Sequence, residues 1–237
     1  MNKIFKKIEI YCDGADFSSM KSFYKKSFVK GFTTNPSLMR SSGVRNYEQF
    51  SKKILKIINK KSISLEVFSD DLDEMEEQAK KIASWGKNIY VKIPITNTKG
   101  KSCLPIIKKL TENDIKVNIT AVFTLKQISL IKRFINKDSN VIISVFAGRI
   151  ADSGIDPSDI IIKSIKMYKK FKGVKILWAS TREIYNIFQA GNLGCHIITV
   201  PTSMLKKINV IGKNLNTYSL ETVKSFYDDA KKSNYKI

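Results

Sequence analysis

Apolar and polar positions along the chain fall into two alternating patterns. Short runs rich in β-branched residues occur at Ile8–Cys12, Val29–Thr33, Ser62–Phe68, Ile89–Ile95, Ile115–Val122, Val141–Ala147, Lys175–Ser180 and His196–Pro201. Runs of this length and composition predict strands. Between them lie longer amphipathic stretches at Phe17–Ser27, Tyr47–Asn59, Asp71–Trp85, Ser102–Asn113, Leu125–Asn136, Asp156–Phe171, Arg182–Ala190 and Thr202–Lys207, which predict helices. Asp70 and Asp71 give the third of these an acidic first turn, and Gly86, Gly173 and Gly191 stand where helices should stop. Ser219–Lys231 follows the eighth unit as a further C-terminal helix.

Eight strand–helix units in 237 residues, without a linker, repeat or low-complexity segment, predict an α/β protein. The expected architecture is a (β/α)8 TIM barrel with an extra C-terminal helix, forming one domain over residues 1–237. An open doubly wound sheet would usually carry a Gly-rich phosphate loop after its first strand. Asp13-Gly14-Ala15-Asp16 is neither GxGxxG nor a P-loop.

Charge changes this picture less than its size suggests. Lys+Arg total 42 against 21 Asp+Glu, a formal net charge of +21, and only Arg40, Arg45, Arg133, Arg149 and Arg182 among the 42 are arginines. A nucleic-acid interface would favour arginine forks interleaved with aromatics. Here the lysines run through helix-like stretches such as Ser51–Lys61, Lys163–Lys172 and Lys224–Lys236, the pattern of a solvated coat. A basic barrel that binds nucleic acid without catalysis stays as the rival from another class; no specific nucleic-acid partner is expected. No apolar run reaches the roughly 18 residues of a membrane span, and Glu9 and Asp13 arrive too early for a signal-peptide core, so a cytoplasmic protein is expected. Cys12, Cys103 and Cys195 lack CxxC spacing and suit neither a disulfide framework nor a zinc ribbon. The single histidine, His196, reads as structural, and the run Asp70–Glu77 lacks the glycine and oxygen spacing of a calcium loop. No metal site is expected.

In a barrel, side chains alternate between lumen and helix layer. In Ile89–Ile95, Val91 and Ile93 face the helices, which sends Lys92 into the lumen. Burial disfavours the ammonium, and a neutral amine in a pocket is a nucleophile for a ketone; the alternative is a lysine at an exposed strand end, snorkelling to water. Asp13 ends the first strand, Glu66 interrupts the third, and Asn118 and Thr120 share a face of the fifth. Ser144 and Phe146 share a face of the sixth, with Arg149 just beyond. Trp178 and Ser180 share a face of the seventh, with Arg182 just beyond. Together these set two carboxylates, an amine, an amide, hydroxyls and two guanidiniums at the C-terminal mouth, where barrels of this type carry their active sites.

With these residues in place, the chain resembles the transaldolase superfamily, near the short transaldolase-like proteins and fructose-6-phosphate aldolases. The resemblance rests on Tyr11-Cys12-Asp13-Gly14-Ala15-Asp16, Gly31-Phe32-Thr33-Thr34-Asn35-Pro36-Ser37-Leu38, Val91-Lys92-Ile93-Pro94, Asn118-Ile119-Thr120, Phe146-Ala147-Gly148-Arg149-Ile150 and Ala179-Ser180-Thr181-Arg182. It implies cofactor-free, metal-independent class I chemistry in carbohydrate metabolism, as in the pentose phosphate pathway. Lys92 would form the Schiff base, Asp13 would move protons during carbon–carbon cleavage, and Glu66 with Thr120 would hold a relaying water. Asn35, Asn118 and Ser144 would bind the hydroxyls of the dihydroxyacetone fragment; Arg149, Ser180 and Arg182 would take a phosphate. In the aldolase branch a Gln stands at Glu66 and a Tyr at Phe146, so this chain resembles the transferase pattern. It would move dihydroxyacetone from a ketose phosphate to an aldose phosphate, the alternative being a lyase that releases dihydroxyacetone. Relatives also imply a homo-oligomer of five or ten subunits, with residues 219–231 reaching a neighbour. Gly14, Val145 and the wording around Trp178–Arg182 depart from the usual pattern; the departures bear on the substrate, and a specialised sugar phosphate is compatible with them.

Overall fold

The computed structural model describes residues 3–235. After a short 3-10 turn at Lys3–Lys6, eight strands alternate with helices: β1 Glu9–Asp13, α1 Phe17–Tyr24, β2 Val29–Thr33, α2 Pro36–Ser41, α3 Tyr47–Leu55, β3 Ser62–Glu66, α4 Leu72–Ser84, β4 Ile89–Pro94, α5 Leu104–Glu112, β5 Val117–Val122, α6 Leu125–Ile131, β6 Val141–Val145, α7 Ala147–Asp152, α8 Ser158–Tyr168, β7 Val174–Trp178, α9 Tyr185–Asn192, β8 Ile197–Pro201 and α10 Thr202–Leu205. All strands pair in parallel, in chain order, and β8 pairs with β1 to close the barrel. The fold is the expected (β/α)8 barrel. The chain divides into two compact units, the barrel through Leu205 and a second unit from Lys206. The second holds a 3-10 turn at Ile208–Val210 and the C-terminal helix α11, Leu215–Lys232. Its Leu220, Val223, Phe226 and Tyr227 recur at helical spacing along one face.

Strand alternation sorts the barrel into two layers of contacts. Ile10, Phe32, Leu65, Val91, Ile119, Ile143, Ile176 and Ile198 fall on the helix-facing register, and each is at most 1% exposed. The lumen is apolar at one level, where Tyr11, Ile142, Leu177, Ala179 and Ile197 cluster. At the strands' C-terminal ends it turns polar, with Asp13, Glu66, Lys92, Asn118, Thr120, Ser144 and Thr199. The helices start on built caps: the Asn35, Asn46, Asp71 and Thr124 side chains each accept a first-turn N–H.

Several sequence expectations shift in detail. Six-residue α2 and α7 occupy stretches read as loop or strand end, because a helix of under two turns shows no amphipathic period. β7 starts one residue earlier and ends at Trp178. Since Leu177 belongs to the lumen cluster, Trp178 faces the helix layer, where it is 1% exposed, and does not share a lumen face with Ser180. Ser180 leaves the strand in the left-handed region, at φ 64°, which ends the alternation. Gly191 lies inside α9 rather than after it. A Cβ there would stand 2.6 Å from Ile4 Cδ1, and the left-handed residue that follows the helix is Gly194, at φ 80°. His196 precedes β8, and its Nδ1 accepts the Ile176 N–H at 3.0 Å, a structural bond. No helix among the described residues is long and apolar enough to cross a membrane.

Candidate active site

The polar end of the lumen opens into a cavity of about 200 Å³. Asp13, Asn35, Lys92, Thr120, Ser144, Phe146, Arg149, Ser180 and Arg182 line it, together with Thr33, Ala179, Thr181, Thr199 and Pro201. Two predicted residues, Glu66 and Asn118, stand behind this lining.

Cross-strand register explains the floor. Glu66 on β3 lies opposite Lys92 on β4, which lies opposite Asn118 on β5. Lys92 is 7% exposed; its Nζ sits 3.0 Å from Glu66 Oε2 and donates to the Thr34 carbonyl at 3.0 Å. The amine is therefore paired with a carboxylate beside it. The Glu66 backbone carbonyl in turn accepts the Tyr47 hydroxyl at 2.9 Å. Asn118 is fully enclosed, donating to Ser64 Oγ at 2.9 Å while its Oδ1 accepts from Ser144 at 2.6 Å. It acts as the strut that aims Ser144 at the cavity. Thr120 Oγ1, on the cavity wall, is a buried hydroxyl without a hydrogen-bond partner among the described residues. Such a group calls for a ligand or a water.

Asp13 is held from the other side of the barrel. Thr33 lies opposite it in register and donates to its Oδ1 at 2.6 Å. Thr33 has one hydroxyl proton, so the 2.5 Å contact between Thr33 and Thr199 Oγ1 is donated by Thr199. Thr181 completes the chain by donating to the Thr199 carbonyl at 2.7 Å. Burial pushes the Asp13 carboxyl above the usual carboxylate range; Lys92 and the Thr33 bond pull it down, and Glu66 adds to the rise. Asn35 spends its Oδ1 on the Leu38 N–H at 2.9 Å, capping α2 and leaving its amide N–H groups for the cavity. Gly14 departs from the family pattern where Thr202 packs close: a Cβ on Gly14 would lie 2.9 Å from Thr202 Cγ2.

The rim is built by α7 and the segment after β7. Phe146 caps α7, stacks on Phe123 with centroids 5.6 Å apart, and carries the Arg149 guanidinium 5.5 Å above its ring. A Cβ on Gly148 would lie 1.6 Å from the Ser180 carbonyl oxygen, so only glycine lets α7 approach that segment. The contact is sealed by the Gly148 N–H on the Ala179 carbonyl at 3.2 Å. Arg182 donates Nε to both Asp152 carboxylate oxygens, at 2.9 and 3.0 Å, and Nη2 to Oδ2 at 2.5 Å. Thr33, Thr199, Thr181, Tyr47 and Asp152 were not among the predicted site residues. The first two follow the same alternation that pointed to Asp13 and Lys92; the rest become visible only when loops meet in space.

The arrangement offers a buried amine, two carboxylates, an unpartnered hydroxyl and two rim guanidiniums around a sugar-sized space. The family described as transaldolase/fructose-6-phosphate aldolase matches residues 10–237. The chain belongs to the transaldolase/fructose-6-phosphate aldolase family. It is 34% identical over 203 residues to a protein named probable transaldolase from Nitrosopumilus maritimus, covering 85% of this chain and 87% of that one. A probable transaldolase from Thermoanaerobacter sp. is 31% identical over 231 residues, covering 97% of this chain and 100% of its own. Among solved structures, 2,3-dimethylmalate lyase superposes with a TM-score of 0.59 at 9% identity, covering 96% of this chain and 84% of that one. N-acetylneuraminate lyase from Mycoplasma synoviae gives 0.54 at 13% identity, covering 95% and 82%. These two likenesses show the barrel fold alone. As a transaldolase-family member, the chain is an enzyme of that family.

Proposed function

We propose that this transaldolase-family enzyme moves a dihydroxyacetone unit from a ketose phosphate to an aldose phosphate through a Schiff base on Lys92. The observation that carries the reading is the pairing of Lys92 with Glu66 at 3.0 Å on the floor of a cavity that Asp13 also lines. The Lys92 amine adds to the ketose carbonyl carbon, and loss of water gives the iminium. Glu66 and the Thr120 hydroxyl are suited to hold the water that carries protons in this step. Asp13 takes the proton from the hydroxyl whose carbon becomes the departing aldehyde. The carbon–carbon bond then breaks, and its electron pair passes into the iminium to leave an enamine. Addition of the enamine to an acceptor aldehyde reverses these steps, with Asp13 returning the proton. Ser144 and Asn35 bind hydroxyls of the retained fragment, Asn118 orients Ser144, and Arg149, Ser180 and Arg182 hold the phosphate.

Phe146 favours transfer over release, since its ring has no proton to give and makes the wall facing the retained enamine apolar. By resemblance, the protein works as a homo-oligomer of five or ten subunits in which α11 reaches a neighbour, and it needs no metal or cofactor. Treatment with fructose 6-phosphate and borohydride should leave a stable adduct mapped by mass spectrometry to Lys92. Unmodified Lys92 across a panel of ketose phosphates would overturn the assignment. Accumulation of free dihydroxyacetone without an acceptor would instead assign the lyase reaction.

A further inference from the structure

We propose that Asp152 is a positioning residue that aims the Arg182 guanidinium at the substrate phosphate; the inference rests on reading the rim as a phosphate subsite. Arg182 and Asp152 lie 30 residues apart and meet only because α7 packs on the segment after β7 through Gly148. The contact is a fork: Nε and Nη2 engage one carboxylate, which fixes the plane of the guanidinium as well as its position. The Arg182 backbone is fixed separately, its N–H donating to Asn186 Oδ1 at 3.0 Å. With Nε and Nη2 turned to Asp152, Nη1 makes no hydrogen bond among the described residues, while Arg182 still lines the cavity. Arg149, held by the Phe146 ring, has no ion pair among the described residues. The two guanidiniums are thus set by different devices, one by a carboxylate and one by a ring face.

Helix energetics give no reason for a carboxylate at this position. Asp152 is the last residue of α7, where the backbone carbonyls disfavour negative charge. Its side chain is 51% exposed and that of Arg182 46%, so solvent screens the pair and leaves little stability to gain from it. What the pair supplies is orientation. Without it, a half-exposed arginine has free rotamers to lose when it binds an anion. Asp152 also leaves the rim with two cations and one anion, which lets a phosphate bind and leave again.

The test is the Asp152→Asn variant, read by calorimetric titration with inorganic phosphate and by kinetics with fructose 6-phosphate. Phosphate binding should weaken about tenfold, and KM should rise by about the same factor with kcat changed less than about twofold, as expected for loss of ground-state positioning. The melting temperature should stay level or rise, whereas a purely structural role would lower it. Asp152→Glu, which keeps the carboxylate, should recover part of the loss. Equal or tighter phosphate binding by Asp152→Asn would overturn the positioning role and leave the subsite reading standing. Failure of the unaltered protein to bind phosphate, with Arg149→Gln indistinguishable from it, would overturn the subsite reading and this inference with it.

Discussion

The floor and the rim of the cavity are built on opposite principles. On the floor, Lys92, Glu66, Asp13, Asn118 and Ser144 project from strands whose register sets one against the next, and each is held by a hydrogen bond or ion pair from a neighbouring strand. On the rim, Arg149 and Arg182 stand on a short helix and a left-handed turn, partly in water, held by one ring and one carboxylate. A low-dielectric, strand-borne floor keeps reacting groups in place and makes every charge there costly to disturb. A loop-borne rim gives each contact less energy but can be altered without refolding the barrel. On the proposed mechanism, the difference puts the covalent and proton-transfer groups on the strands and the phosphate contacts, with Phe146, on the rim.

The sharpest test of this contrast is on the floor. Lys92→Ala removes the proposed nucleophile and leaves Glu66 and Asp13 without their cation. The kcat/KM for transfer should fall at least about 10³-fold, the scale on which nucleophile deletions act. Retained turnover would move the covalent step elsewhere and dissolve the distinction between floor and rim.

The seam between the two regions is tested next by Gly148→Ala. The added methyl meets the Ser180 carbonyl at 1.6 Å, so α7 must separate from the segment after β7. Overpacking of this kind typically costs about 1–3 kcal/mol. A lower melting temperature should therefore accompany a raised KM, because Arg149 and Arg182 no longer face the same point. A loss in kcat with KM unchanged would show instead that the seam supports the floor.

How much of this was legible in the residue pattern follows the same division. All eight strands, and with them the barrel, show in the apolar runs, because closure leaves each strand with one apolar and one alternating face. Lys92, Asp13, Glu66, Thr120, Asn118 and Ser144 follow from that alternation, and the register places them together. Thr33 and Thr199 obey the same rule and could have been found by it. The rim obeys no such period. Trp178 lies on the face opposite to the one that alternation back from Ser180 predicts, because the left-handed residue after the strand re-aims the chain, and α7 is too short to announce itself. The Arg182–Asp152 fork is invisible along the chain because neither α7 nor the segment after β7 predicts the other's position. Arg149 and Arg182 reach the mouth by their positions just beyond the sixth and seventh strands, but their phosphate role comes from family resemblance alone.

The smallest expected effect lies in the threonine chain behind Asp13. Burial raises this carboxyl above its usual range, and the Thr33 hydroxyl opposes the rise by favouring the ionised form. If Asp13 accepts a proton during cleavage, it works ionised, so kcat/KM should climb along an acidic limb displaced upward from that of an ordinary aspartate. Thr33→Val keeps the shape and removes the donor. With one stabilising contact gone, the carboxyl holds its proton to still higher pH, and the limb should move further up while the alkaline side stays in place. Lys92 chemistry is untouched, so borohydride trapping on the alkaline side of that limb should match the unaltered protein. An acidic limb that stays in place or moves down on loss of the Thr33 donor would overturn the assignment of that limb to Asp13.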